Sequence, residues 1–491
     1  MKHKMACFFL IGLVSVLPMN SAFSEKNTTA SKITKVSIVK RPKDSKIFIP
    51  LTNSPQFDRI AFVMKIKDKQ SVTIDGKKGE DFDGIAKGTP IFSSAGDRIA
   101  YIAFHGKKQF VVVDGKKGME YDGVSDFVFS PDGNRFSYKI QIGKEQSVVV
   151  DQNQGELFSQ VWGSPLFSPD SKNHVYIASK GMNWYIVQNS RAIGPYDGVK
   201  DITFSPDSKN LACGILKKSS WYLWKNGMSG KGYENISTIA FSSDSSRLAY
   251  AAQMNKMLLM VDNAQEHKAY ITISSPVFSP DSKYLAYPAK KGEKWFMVLD
   301  GKEGPEFDVL GIFRYSPDSL RFSYLGVKKK KAAVVSETGK YDWYKSIGPL
   351  VYSPDSKHLA YKAEDDKKAF VVCDGKKGNS YDNVFDPSFS SDSARMAYKA
   401  VKDKKMFMVI DGTEGNGYIA MSNVVFSPDS LNAAYLAVKD KTWLWVVNGR
   451  EMDQGIDQML TPLVFDGPSK LHGFGIIKNP EPECFRFELS F

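Results

Sequence analysis

The chain has 491 residues, a formal net charge of +12 and four cysteines. The cysteines beyond Cys7 are three in number and lie at unrelated spacings, which excludes a disulfide framework. No later stretch reaches the ~20 apolar residues that a transmembrane helix needs. A basic balance of this size is compatible with nucleic acid, anionic lipid or an acidic polymer as partner.

The first 24 residues have the pattern of an export signal. Lys2 and Lys4 give a basic start, residues 5–16 are apolar, and Ala22-Phe23-Ser24 offers a small-x-small cleavage site. The apolar run is too short to span a bilayer, and a retained anchor is the alternative. We therefore predict a signal peptide over 1–24 and a periplasmic or secreted protein.

A phrase of the form Phe/Tyr-Ser-Pro/Ser-Asp-Ser/Gly then recurs nine times, and its Asp is called the motif Asp below. The first interval is 38 residues and the other seven are 37. Fainter copies near Ser54, Phe92 and Phe465 bring the total to twelve units. The motif Asp residues are Asp132, Asp170, Asp207, Asp244, Asp281, Asp318, Asp355, Asp392 and Asp429. A fixed period of this length indicates an array of identical supersecondary units.

One unit reads as four short strands. In the unit at Asp355, a Ser-Pro-Asp-Ser turn precedes an apolar run over 358–363, and a second β-rich run over 369–373 ends in Asp374-Gly375. Tyr381-Asp382 opens the extended piece that leads to the next unit. No helical period is present, so the sequence predicts an all-β protein, a β-propeller of about twelve four-stranded blades of ~37 residues.

The sequence gives weaker evidence for how the twelve blades are divided between rings. Propellers usually have 4–8 blades, and the Asp-Gly turn is replaced by Asn263-Ala264, which favours two six-bladed rings with halves at 47–265 and 266–491. One large ring and an unequal split stay open. The last strand alternates Phe485, Phe487, Leu489 and Phe491 with polar residues, and segment 25–46 contains a run, 33–40, that could pair with it and close the ring.

The motif also resembles known repeats. Phe-Ser-Pro-Asp-Ser-Lys-Tyr-Leu-Ala-Tyr at 278–287, and its counterpart at 352–361, are similar to the WD-repeat-like units of the TolB family. Similar units occur in the propeller of prolyl oligopeptidase relatives. The first resemblance implies a periplasmic protein that docks other envelope proteins. The second implies a C-terminal peptidase domain, for which the repeats leave no room.

Patterns of catalysis are absent from the sequence. There is no Gly-x-Ser-x-Gly elbow, no Gly-rich phosphate loop, and no His-x-x-x-His or similar spacing among the six histidines. The motif Asp is interpreted as a turn residue. We therefore predict no catalytic residue, no metal site and no cofactor, and a protein that is not an enzyme.

Two sets of residues are candidates for binding. Asp126, Asp201, Arg314 and Asp386 precede first strands and are expected at the mouth of the propeller channel. The loops between second and third strands carry lysines, most densely at Lys328, Lys329, Lys330 and Lys331. These loops share one face of a propeller, so that face is predicted to attract an anionic partner.

The sequence thus favours a non-catalytic exported scaffold that binds an envelope protein or an anionic envelope polymer. The alternative is a hydrolase or lyase with its site at the channel mouth, because propellers host many chemistries. A nucleic-acid partner rests on charge alone and is not expected. The oligomeric state is left open.

Overall fold

The computed structural model describes residues 32–40, 45–336, 342–478 and 481–491. In these residues every regular element is a strand, and the strands form twelve antiparallel sheets. The prediction of an all-β propeller with twelve blades is confirmed. The described residues contain no helix with the length and apolar character that crossing a membrane requires. The predicted signal peptide, 1–24, lies outside them.

The blades share one strand order. A first strand leads through the motif turn to a second strand, a tight hairpin leads to a third, and an Asp-Gly or equivalent turn leads to a fourth. First strands of consecutive blades contact one another, so they form the inner side of the ring. We call them the inner strands, and the fourth strands the outer strands.

The inner strands are continuous in some blades and split in two in others. In blade order they are Ser45–Asn53, Gly84–Ile85 with Ile91–Phe92, Gly123–Phe129, Gln160–Phe167, Gly198–Phe204, Asn235–Phe241, Thr272–Ile273 with Val277–Phe278, Val309–Tyr315, Ser346–Ile347 with Val351–Tyr352, Asn383–Val384 with Ser388–Phe389, Ala420–Met421 with Val425–Phe426, and Gln458–Met459 with Val464–Gly467. The second strands are Ile60–Ile66, Ile99–His105, Phe136–Ile142, His174–Lys180, Leu211–Lys217, Leu248–Met254, Leu285–Lys291, Phe322–Lys328, Leu359–Glu364, Met396–Lys402, Ala433–Lys439 and Lys470–Ile477.

The third strands are Lys69–Ile74, Lys108–Val113, Glu145–Val150, Asn183–Gln188, Ser220–Lys225, Met257–Asp262, Lys294–Leu299, Lys331–Val335, Ala369–Cys373, Lys405–Ile410, Thr442–Val447 and Glu483–Ser490. The outer strands are Lys77–Lys78, Lys116–Lys117, Asn153–Gln154, Arg191–Tyr196, Met228–Tyr233, Gln265–Tyr270, Lys302–Phe307, Lys376–Lys377, Thr413–Tyr418, Arg450–Ile456 and, for the last blade, Lys32–Lys40. Blade 8 has three strands in its described residues.

The hydrophobic core lies between neighbouring blades. One cluster joins Ala61 and Val72 of blade 1 to Ile99, Tyr101 and Phe110 of blade 2, and clusters of the same kind recur around the ring. Second and third strands supply most of these side chains because both faces of their sheet are covered. A single blade could not bury these residues, which explains why the unit repeats.

The motif turn is held by its own side chains. In blade 9 the buried Ser353 hydroxyl donates to Asp355 Oδ1 at 2.6 Å and accepts the His358 N–H, while Asp355 Oδ1 also accepts the Lys357 N–H. Ser356 has φ +66°, and its hydroxyl accepts the N–H of Asp318 in the preceding blade at 2.9 Å. Serine at this left-handed position is therefore explained by a bond between blades, which glycine could not make.

Acid is expected to unfold the ring because these turns depend on ionised carboxylates. Hydrogen bonds from the motif serines lower the pKa of eight motif Asp side chains, and those of Asp281 and Asp355 fall to about 2. An unfolded Asp has a pKa of about 3.9, so this stabilisation is complete above that pH and is lost as pH falls towards 2. We expect a steep loss of β-sheet circular dichroism between about pH 4 and pH 2.

Replacing Ser279 or Ser353 by Ala removes the hydroxyl that lowers the pKa of its Asp, so the loss should begin at higher pH in these variants. A thermal midpoint that stays constant from pH 5 to pH 2.5 in the wild-type protein would contradict this account.

An arginine just before the second strand clamps several blades to the next. Arg135 pairs with Asp151 of its own blade at 2.7 Å, donates to the Ser171 and Lys172 carbonyls of blade 4, and lies 5.2 Å from the Phe167 ring. The arginines that make these contacts to the following carbonyls and aromatic ring are Arg59, Arg98, Arg135, Arg247, Arg321 and Arg395.

All twelve blades belong to one ring. The motif bond between blades continues unchanged across the expected boundary, where the Asp244 N–H donates to Ser282 Oγ at 3.0 Å. At the other junction, His472 of blade 12 contacts the Phe57 carbonyl of blade 1 at 2.8 Å. The structure thus has the single large ring that the sequence left open, not the two six-bladed rings that it favoured.

The sequence feature that favoured two rings, Asn263-Ala264, forms an ordinary turn between third and outer strands. Asn263 and Ala264 have φ of +46° and +67°, as in the Asp-Gly turns, and Asn263 Oδ1 accepts the Leu248 N–H at 3.0 Å. The Asn263 side chain therefore accepts the same hydrogen bond as the Asp of the other blades, and Ala264 adopts the left-handed conformation that usually favours Gly. Replacement of Asp-Gly by Asn-Ala therefore leaves the conformation of this turn unchanged.

The predicted closure of the ring is observed. Lys32–Lys40 pairs antiparallel with Glu483–Ser490, with Lys32 opposite Ser490 and Lys40 opposite Glu483. Ile38 and Val39 pack beside the buried Phe474 of the same blade. The N-terminal segment therefore supplies the outer strand of the last blade, which covers an edge that would otherwise be open.

Candidate functional site

The three candidate aspartates occupy one position of the repeat, six residues before the motif Asp. The sequence placed this position just before the inner strand, but Asp126 and Asp201 lie within it, at φ of +53° and +54°. Asp386 lies between the two halves of its inner strand. The residue pairing shifts here in blades 3 and 5, so the position is a β-bulge that turns the side chain out of the sheet.

Asp126 is fully engaged within the structure. Its carboxylate contacts Lys139 Nζ at 2.8 Å, the Ser125 hydroxyl at 2.8 Å, and the Ser164 hydroxyl of blade 4 at 3.2 Å. Burial raises the pKa of Asp126, but the hydrogen bonds from Lys139 and Ser125 outweigh it, and the pKa is lowered overall. Asp126 is therefore an ionised link between blades 3 and 4, which does not suit it to act as a free base.

Asp201 is exposed, and its neighbour Lys200 makes the contacts at this bulge. Lys200 Nζ lies 3.9 Å from the Trp221 ring centre and 2.5 Å from Asn235 Oδ1 of blade 6. Burial lowers the pKa of Lys200. In blade 5, then, a lysine takes over the link to the next blade and leaves the aspartate free in solvent.

Asp386 lines a cleft between blades 10 and 11 with a volume of about 480 Å³. Lys399 and Asn423 line the same cleft. Lys399 Nζ lies 4.5 Å from the centre of the Phe385 ring, and burial lowers the pKa of this lysine. The cleft combines an ammonium, a carboxylate and an amide, a set that can bind a small polar molecule but lacks a histidine or a second carboxylate for acid–base chemistry.

Arg314 does not join these residues. It is exposed near the end of the inner strand of blade 8, opposite Ser323, two residues beyond the bulge position. The four candidates come from blades 3, 5, 8 and 10, and no two of these blades are adjacent. In the described residues the structure therefore brings none of them together in a common site.

The second candidate set, residues 328–331, forms the tip of one hairpin, called the lysine hairpin below. Lys328 ends the second strand of blade 8 and Lys331 begins the third, while Lys329 and Lys330 occupy the turn with φ of +51° and +63°. All four side chains are exposed. Within the described part of the chain, none of the four ammonium groups is within salt-bridge distance of a carboxylate.

Four other hairpins on this face have part of their charge compensated. Lys69 pairs with Asp83 at 2.6 Å, and the same pairing, between a lysine that begins the third strand and an aspartate of the crossover to the next blade, recurs elsewhere. The further pairs are Lys108 with Asp122, Lys294 with Asp308, and Lys368 with Asp382. The predicted positive face is therefore neutralised in part, and the lysine hairpin is its longest run of consecutive lysines without a salt bridge in the described residues.

The crossover aspartates were missed in the sequence. They also accept hairpin N–H groups, as Asp308 does from Lys329 at 2.8 Å. The hydrogen bonds from Lys294 and from this N–H lower the pKa of Asp308. The available signal was the Tyr/Phe-Asp pair that recurs before several inner strands, in which the Asp lies 14 residues after the lysine it neutralises.

Comparison with known proteins finds only distant similarity to solved structures. No family model matches the chain, and no curated protein matches it. A eukaryotic initiation factor structure has a TM-score of 0.33 and 14% identity over 64% of this chain and 94% of its own. TolB from Acinetobacter baumannii has 0.24 and 14% over 60% and 78%, and the dihydro-heme d1 dehydrogenase NirN in complex with DHE has 0.27 and 12% over 59% and 72%. The propeller fold rests on the strand topology, and similarities this low say nothing about partner or activity.

Proposed function

We propose that this protein is an exported, non-catalytic binding scaffold that engages an anionic envelope partner, a protein surface or a polymer, through the lysine hairpin. The observation that carries the proposal is the local charge. Four exposed lysines lie on consecutive residues, none within salt-bridge distance of a carboxylate in the described structure, on a face where several other lysines are paired.

The four charges of the lysine hairpin lie close together. Charges more than about 8 Å apart are screened from each other at physiological ionic strength, so scattered lysines act singly. Four consecutive residues at a hairpin tip lie within or near that distance and can act together on a polyanion. The rigid blade beneath also holds the turn in place, so less conformational freedom is lost on binding.

A non-catalytic role is supported by the candidate aspartates. Asp126 is held in an ion pair, Asp201 is free in solvent, and Asp386 faces a lysine-lined cleft in another part of the ring. These three carboxylates lie on separate blades, so no two of them flank one bond as the paired acid and base of a glycosidase do.

The test removes the charge and keeps the turn. Replacing residues 328–331 by Gln-Asn-Gly-Gln deletes four charges and places Asn-Gly, the preferred pair, at the two left-handed positions. We expect retention on immobilised polyglutamate to weaken roughly 10-fold or more, since each exposed ion pair contributes about 0.2–1 kcal/mol. Recovery of the envelope partner in a pull-down should fall in parallel.

A matched control removes the same charge from the opposite face. Lys77, Lys116, Lys302 and Lys376 are exposed residues that follow Asp-Gly turns, and their replacement by Gln should leave retention unchanged. Equal losses in the two variants would show that net charge alone is responsible, and unchanged retention in both would refute the role of the hairpin.

A further inference from the structure

Blade 9 carries an unusual combination of side chains at the turn between its third and outer strands. His358, Cys373 and Asp374 offer a ring nitrogen, a thiol sulfur and a carboxylate oxygen that all lie within 4.8 Å of one another. His358 Nδ1 is 2.7 Å from Asp374 Oδ2, and Cys373 Sγ is 3.9 Å from the same oxygen. The antiparallel pairing of second and third strands brings these residues together.

The repeat shows that this combination is specific to blade 9. At the position of His358, six other blades have the clamping arginine described above, and the rest of the repeats with the motif have Asn or Tyr. At the position of Cys373, six other blades have the apolar residues Ile74, Val113, Val150, Leu299, Ile410 and Val447, three have the polar residues Gln188, Lys225 and Asp262, and cysteine occurs in blade 9 alone of these. His358 and Cys373 thus both differ from the residues most common at their positions, and both lie in blade 9 beside Asp374.

The clamp to the next blade is altered as a result. Arg395 of blade 10 donates to two carbonyls of blade 11, whereas the shorter His358 stacks on Phe389 at 6.3 Å and makes its polar contact with Asp374 of its own blade. In the described residues histidine thus gives up the hydrogen bonds that arginine makes between blades.

We propose that His358, Cys373 and Asp374 form a binding site for a zinc-type divalent transition metal ion. Imidazole, thiolate and carboxylate are the three ligands that zinc takes in proteins, and bond lengths of about 2.0–2.3 Å place adjacent ligand atoms roughly 3.5 Å apart. The two measured distances, 2.7 and 3.9 Å, lie on either side of that value, so small side-chain rotations are sufficient.

The surroundings suit such a site. Asp374 Oδ1 accepts the Leu359 N–H at 2.9 Å, which fixes the carboxylate and leaves Oδ2 directed at His358. The His358 and Asp374 side chains are 43% and 38% exposed, so an ion can enter from solvent and a water molecule can complete the coordination. Burial and the adjacent Asp374 raise the pKa of Cys373 to about 11, and metal binding must therefore release the thiol proton to solvent.

The experiment is a titration of the purified protein with Zn²⁺ and, for spectroscopy, with Co²⁺. We expect one ion per chain, a sulfur-to-cobalt charge-transfer band, tetrahedral cobalt absorption and a rise in thermal midpoint with Zn²⁺. Each variant installs a residue that other blades already carry: H358R, C373V, and D374N, which keeps the amide oxygen that Asn226 and Asn448 use in the same turn. Each should weaken binding at least roughly tenfold while keeping the ring folded.

Controls separate this site from other ligands. Replacement of Cys213 or Cys484 by Ala should leave the cobalt spectrum unchanged, because both are buried in other blades. The proposal would be overturned by a wild-type protein that binds no stoichiometric Zn²⁺, or by H358R and C373V that bind it as well as the wild type does. The site is independent of the lysine hairpin, so neither result bears on the proposed scaffold role.

Discussion

A chain that lacks residues 25–40 will lose the closed ring and associate through its last blade. Lys32–Lys40 covers Glu483–Ser490 along its length, and Lys35 Nζ also donates to the Gln454 carbonyl of blade 11 at 2.7 Å. Deletion leaves the N–H and C=O groups of Glu483–Ser490 on that side unpaired, and an open edge is a template for another chain. It also exposes the apolar surface that Ile38 and Val39 cover.

We expect this deletion to lower the stability of the last blade by roughly 3 kcal/mol, from the partial burial of Ile38 and Val39 and the lost strand pairing. Size-exclusion chromatography should show dimers or larger species, and amide exchange should accelerate at 483–490. A synthetic peptide with the sequence of residues 32–40 should restore the monomeric elution and the protection, while a scrambled peptide should not. A deletion variant that elutes and exchanges like the wild type would show that the strand is dispensable for closure.

The second large effect is expected at His472, which joins the last blade to the first. Its side chain is 1% exposed, with Nδ1 2.8 Å from Asp466 Oδ1 and Nε2 2.8 Å from the Phe57 carbonyl. Both partners are acceptors, so both hydrogen bonds form only when each ring nitrogen carries a proton. Arg486 adds a bond to the neighbouring Asp58 carbonyl at 3.0 Å.

Replacing His472 by Ala removes both bonds, leaves the Phe57 carbonyl without its hydrogen-bond partner and opens a cavity at the junction. We expect a loss of about 2–4 kcal/mol in the free energy of unfolding. Denaturant unfolding monitored by tryptophan fluorescence measures this loss, and amide exchange should place it at blades 1 and 12. A loss below about 0.5 kcal/mol would mean that strand pairing alone closes the ring.

His174 provides a matched control within the same chain. It is also buried, but within the described residues neither ring nitrogen has a hydrogen-bond partner, and burial together with Arg135 lowers the pKa of His174 to about 4. The folded state therefore binds fewer protons than the unfolded state, so this residue destabilises the fold as pH falls below about 6.5. His174→Leu installs the residue found in blades 5, 6 and 7, and it should stabilise the protein at pH 5, opposite in sign to His472→Ala.

The sequence predicted the parts of the fold that depend on local chemistry. A turn of Ser, Pro, Asp and Ser bonds to its own backbone, so its recurrence every 37 residues located the inner and second strands. The alternation from Phe485 to Phe491 likewise identified a strand with one buried face, and its partner at 33–40 followed because a ring has no open edge.

The candidate site was predicted less well because its contacts are between strands. The lysine loops were located, but the crossover aspartates that neutralise several of them, such as Asp83 opposite Lys69, depend on where the next blade begins. His358 and Cys373 are 15 residues apart with no spacing typical of a metal motif, and the hairpin pairing places them together. Asp126, Asp201, Arg314 and Asp386 come from separate, non-adjacent blades, and their place at a channel mouth stays a prediction.

By itself the sequence determined that this protein is an array of twelve four-stranded units, because turn signals and strand alternation act over a few residues. Only the tertiary structure decided that the array closes as one ring. The number of blades in a ring is set by the angle between neighbouring sheets, which depends on how the side chains of every interface pack. Closure then requires the last interface, with His472 and Arg486 against blade 1, to fit as the others do.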